Sequence, residues 1–88
     1  MMVMYREIFL TDDAELKIGD WHECDRKDFE KFMHWLPTNI ISIYIYIPAR
    51  NEKWRWIRFK GWFIEHIKYN GEKVWTRAVV YINRGLMK

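Results

Sequence analysis

Eighty-eight residues, half of them hydrophobic, make one small globular domain and exclude a disordered chain. The net charge of +3 conceals a segregation: residues 1–44 carry five Lys/Arg against nine Asp/Glu, and residues 45–88 carry ten against three. Charge sorted in this way predicts one face that attracts anions.

In chain order, residues 2–10 mix β-branched, aromatic and long apolar side chains and read as a first strand. Two readings compete over residues 11–19. Asp12 and Glu15 fit a capping box for a one-turn helix that Gly19 closes. Alternatively, Asp12-Asp13 is a turn and the Leu16/Ile18 alternation returns as a second strand, the reading adopted here. Residues 25–36 predict a helix. Asp25 is a suitable N-cap, Asp28 complements the helix dipole, and Phe29, Phe32, Met33 and Leu36 form one apolar stripe that Pro37 ends.

The remainder reads as β. Residues 40–47 place Ile41, Ile43, Ile45 and Ile47 on one face and Ser42, Tyr44 and Tyr46 on the other. Residues 48–52 make a turn. A long strand over 53–69 follows, with Gly61 as the place for a bulge, and Asn70-Gly71 is a hairpin turn into a last strand over 73–83. A two-residue loop sets Ile67 opposite Val74, Glu65 opposite Thr76 and Phe63 opposite Ala78, on the face assigned to the helix. It sets His66 beside Trp75, Ile64 beside Arg77, Trp62 beside Val79 and Lys60 beside Tyr81 on the other. A bulge at Gly61 would turn Trp54 and Trp56 inward. The expected fold is therefore α+β, an antiparallel sheet of four to five strands with one helix, about 25–36, on one face.

One helix leaves the second face of such a sheet open. Alternation of Trp with Lys and Arg through residues 53–62 makes that face aromatic and basic. Unpaired bases stack on aromatic rings while cations follow the phosphates, so single-stranded nucleic acid, RNA included, is the first expected partner. The stacking residues expected are Trp54, Trp56, Trp62, Trp75 and Tyr81. The phosphate-pairing residues are Arg58, Lys60, Lys68 and Arg77, with His66 on the same face. Trp, Tyr and Arg also dominate protein interfaces, so the alternative is a phage or mobile-element inhibitor of a host protein complex, or a homodimer through the sheet.

Enzymatic chemistry is not expected. Ser42, the one serine, lies within an isoleucine strand, and Cys24 has no flanking nucleophile signature beside His22 or His34. His66 with Arg77 and Lys68 is the least unsuitable acid–base set, for RNA cleavage. His22, Cys24 and His34 lack paired metal-ligand spacing, and the glycines are too scattered for a phosphate loop, so no metal or cofactor is expected. A lone cysteine, early charges at Arg6 and Glu7, and no apolar run of about 20 residues predict a cytoplasmic protein without a membrane span.

Overall fold

The computed structural model describes residues 1–78. Within them lie β1 (Met2–Leu10), β2 (Leu16–Ile18), β3 (His22–Asp25), α1 (Arg26–His34), β4 (Ile40–Ile47), β5 (Glu52–Ile57), β6 (Gly61–Ile67) and β7 (Lys73–Arg77). The fold is α+β. Among the described residues, seven strands form one antiparallel sheet in the order β2-β1-β4-β5-β6-β7, and β3 pairs β1 off that path. β3 lies along Met2–Tyr5 and β2 along Ile8–Leu10, so the two share one side of β1 while β4 takes the other. None of the described helices is long and apolar enough to cross a membrane.

The sheet has more than the expected four to five strands, for two local reasons. Residues 22–25 extend along β1 before the helix starts, where the sequence offers no alternation to mark them. Residues 53–69 are also two strands rather than one. The chain reverses at Arg58-Phe59-Lys60, closed by the Lys60 N–H donating to Ile57 O at 3.0 Å. Phe59 sits at the third position of this turn with φ 67, where a type II turn requires positive φ and glycine or asparagine supplies it unstrained. The sequence carries no such marker there, which is why the turn reads as strand.

The hairpins at either end of the sheet share one turn. Thr11 N donates to Glu15 O and Ala14 N to Thr11 O; Lys68 N donates to Glu72 O and Gly71 N to Lys68 O. Each is a three-residue loop whose last residue, Ala14 (φ 62) or Gly71 (φ 87), takes a left-handed conformation. The first builds the expected β1–β2 hairpin. The second corrects the expected pairing, because a loop of three residues instead of two shifts the register by one. The observed partners are Phe63 with Arg77, Ile64 with Thr76, Glu65 with Trp75 and His66 with Val74. A slip of one residue moves every side chain of β7 to the opposite face. The expected pairs involving residues 79–82 lie outside the described residues.

α1 forms where Asp25 caps it, its carboxylate accepting from Lys27 N at 3.2 Å. The helix ends at His34, two residues before the expected end, and Leu36 still packs on the core from the following loop. Phe29 is fully buried, and the rings of Phe29 and Phe32 lie 5.4 and 4.8 Å from that of Tyr5. Beneath them the core joins Val3, Ile43, Ile45, Ile47, Trp54 and Ile64. In β4 Ile43, Ile45 and Ile47 are buried, as the alternation predicts, whereas Ile41 is half-buried and Ser42 is buried against expectation.

Candidate binding face

The register assigns each strand's side chains to one of two faces. Trp54 pairs with both Ile45 and Ile64, and Trp56 with both Ile43 and Trp62, so all three tryptophans stand on the helix side. Trp54 is 2% exposed, and Trp56 and Trp62 pack partly buried against the same core. The expectation that these rings form the binding face is therefore corrected. Reversal at Phe59 does what a bulge at Gly61 would have done, and Trp62 moves inward with the other two. Phe59 is 99% exposed at the turn.

The other expected site residues disperse. Arg58 is a latch: its guanidinium donates to Ile40 O at 2.8 Å and Pro37 O at 2.9 Å while lying 5.2 Å from the Trp56 ring. Lys60 is exposed in the same turn, and its carbonyl accepts from the Arg77 guanidinium. Lys68 is at the mouth of the β6–β7 hairpin, 3.7 Å from Glu72. His66 shares the parity of Ile64 and is hydrogen-bonded to Thr76 Oγ1, so it belongs to the helix side and is separated from Arg77. Tyr81 lies outside the described residues. Of the expected set, Trp75 and Arg77 stand on the open face.

That open face nonetheless has a centre. Met4, Arg6, Tyr44, Tyr46, Lys53, Arg55, Glu65 and Trp75 alternate with the helix-side residues of β1, β4, β5, β6 and β7. Together with Ile18 and Trp21 from the β2–β3 segment, most of them line a concave cavity of about 710 Å³. This volume falls within the range of small-molecule sites, roughly 300–1,000 Å³.

Two arginine–aromatic stacks lie on this face. Arg6 donates through Nε and Nη2 to Gly19 O, at 3.1 and 3.0 Å, and lies 5.2 Å from the Trp21 ring. This holds the loop before β3 over the sheet and stands Trp21 at the rim, 45% exposed. Arg55 lies 4.8 Å from the Tyr44 ring and donates from Nε to Ser42 Oγ at 3.2 Å. Ser42 in turn donates to Trp56 O at 2.7 Å, which satisfies its buried hydroxyl. Tyr46 donates its hydroxyl to Asn51 Oδ1 at 3.3 Å. Asn51 itself is left-handed, φ 49, a conformation asparagine tolerates. Trp21, Tyr44 and Tyr46 are thus held by cation–π contacts and a hydrogen bond.

Trp21, Arg6, Lys53, Arg55, Asn51 and Glu65 were not among the residues expected from sequence. Lys53 and Arg55 alternate with Trp54 and Trp56, so recognising the turn at 58–60 would have exchanged one set for the other. Trp21 carries no sequence signal of its own; the Arg6–Gly19 contact puts it there.

Burial, then Asp28 and Asp25, pushes the Cys24 thiol up, which disfavours the reactive thiolate. Burial, then Cys24 and Glu7, raises the Tyr5 hydroxyl as well. The Asp25 carboxylate is held below its usual range, first by the N-terminal amine at 3.1 Å and then by Lys27 N. His22 stacks on Tyr5 and its Nε2 lies 3.3 Å from Glu7 Oε1. No group of three or more His, Cys, Asp or Glu among the described residues is arranged to hold a metal ion.

No protein-family model, curated protein or solved structure matches the chain.

Proposed function

We propose that this chain is a non-enzymatic binding module that takes single-stranded nucleic acid, RNA or DNA, on the sheet face opposite α1. The observation that carries this reading is the composition of one concave surface. Trp21, Tyr44, Tyr46 and Trp75 share it with Arg6 and Lys53, Arg55 stacks on the Tyr44 ring beside it, and among the described residues Glu65 is the one carboxylate lining it. Stacking of a base on an aromatic ring contributes about 1–3 kcal/mol and tolerates any base, while the cations supply the salt-dependent term. A partly wet, concave sheet suits splayed bases better than duplex, whose bases are already stacked.

The test is titration of labelled oligonucleotides against tryptophan fluorescence at two salt concentrations. With Lys53, Arg55 and Arg77 facing phosphates, the logarithm of the affinity should fall against the logarithm of salt with a slope of about −2. Trp75→Ala should weaken binding about tenfold or more, the equivalent of one lost stacking contact. Absence of binding at low salt would overturn the proposal.

A protein partner is the second reading, favoured by a separate observation. Trp35 at the end of α1 is 80% exposed and Phe59 is 99% exposed, both away from the open face, where nucleic acid on that face leaves them uncovered. The latch from Arg58 to Pro37 O brings their segments to the same end of the molecule. If Trp35→Ala and Phe59→Ala abolish capture of a protein ligand while oligonucleotides fail to bind, this reading replaces the first.

A further inference from the structure

We infer that the cavity selects guanine over the other bases, with Glu65 as the residue that reads it. This rests on the nucleic-acid reading above and names the base that the open face prefers.

Glu65 lines the cavity from β6, directly opposite Trp75 on β7. Among the described residues its carboxylate has neither an ion pair nor a hydrogen-bond partner. Arg6, a cation of the same cavity, is committed to Gly19 O and the Trp21 ring. A carboxylate among aromatic walls and without a partner among the described residues is a pure acceptor, with two oxygens side by side.

Guanine is the one common base that meets such a group with two adjacent donors, N1–H and the N2 amine. Adenine and cytosine each place a ring-nitrogen acceptor beside their amine. Uracil and thymine flank N3–H with two carbonyls. Each of these sets at least one acceptor lone pair against the carboxylate, and an unmatched polar pair in a confined site weighs more heavily than a missing one. The opposite end of the guanine edge is the O6 acceptor, and donors are at hand on the β5 side. Lys53 lines the same cavity, as does Asn51, whose Oδ1 accepts from the Tyr46 hydroxyl and whose Nδ2 donors have no partner among the described residues. Trp75 and Trp21 provide the ring surfaces for the base plane.

The experiment uses seven-nucleotide RNAs of uridine with one central guanosine, inosine, adenosine or cytidine, titrated by fluorescence quenching against the full chain. The guanosine strand should bind about tenfold or more tightly than the adenosine strand, the discrimination expected of one bidentate pair. Inosine lacks the N2 amine and should fall between them. Glu65→Gln removes one acceptor oxygen of the pair, so the guanosine strand should bind no more tightly than the adenosine strand. An unchanged thermal melt shows that the variant is folded. Equal affinity for guanosine and adenosine, or a preference that survives Glu65→Gln, would overturn base selection and leave the nucleic-acid reading standing. Failure of every strand to bind would remove both.

Discussion

At the scale of single residues, two tryptophans of similar sequence context have opposite roles. Trp54 is 2% exposed beneath the helix, whereas Trp75 is 38% exposed on the open face. Truncating a fully buried aromatic ring leaves a cavity the surroundings only partly fill, so Trp54→Ala should lose about 3–5 kcal/mol of stability in urea unfolding. Trp75→Ala should change stability by less than about 1 kcal/mol, because its ring already meets water. Equal losses for the two would contradict the face assignment. Arg58 teaches the same lesson from the polar side: a cation beside a tryptophan looks like a phosphate contact in sequence, yet its donors are spent on Ile40 O and Pro37 O. Composition identifies what a surface is made of; register decides which surface it is.

At the scale of elements, the turns set that register. The β1–β2 and β6–β7 hairpins share one three-residue loop, with glycine at the left-handed position in one and Ala14 in the other. An L-residue with a Cβ is strained there by about 1–2 kcal/mol, part of which glycine returns as chain entropy. Ala14→Gly should therefore stabilise the protein by about 0.5–1 kcal/mol in thermal or chemical unfolding, against the usual penalty of adding a glycine. The α1 stripe, the Asp25 cap and the isoleucine face of β4 were legible in sequence because each repeats one periodic or capping signal over several residues. The β5–β6 reversal was not, since Arg58-Phe59-Lys60 lacks the residue type its backbone requires. Asn70-Gly71 was legible as a turn but fits loops of two or three residues, and the faces of β7 hang on that difference. The binding residues named from sequence followed those two turns, and so most of them moved.

At the scale of the whole molecule, the helix and the charge asymmetry sort the sheet into two different surfaces. One side of the sheet carries α1 over Val3 and Tyr5 and buries Trp54 among isoleucines; the other gathers Arg6, Lys53, Arg55 and Arg77 around aromatic rings. Three of those four cations come from the basic half of the chain and one from β1 in the acidic half, so antiparallel pairing of β1 with β4 is what brings them together. The inward turn of the central tryptophans leaves the open face aromatic through other residues, Trp21, Tyr44, Tyr46 and Trp75. The most direct test is a map of amide and side-chain NMR shifts on adding a saturating single-stranded oligonucleotide. Binding on the open face predicts perturbation at Arg6, Tyr44, Tyr46, Arg55, Glu65 and Trp75, with Phe29, Phe32 and His66 unmoved. Perturbation centred on the α1 side, or none anywhere at saturating ligand, would contradict it.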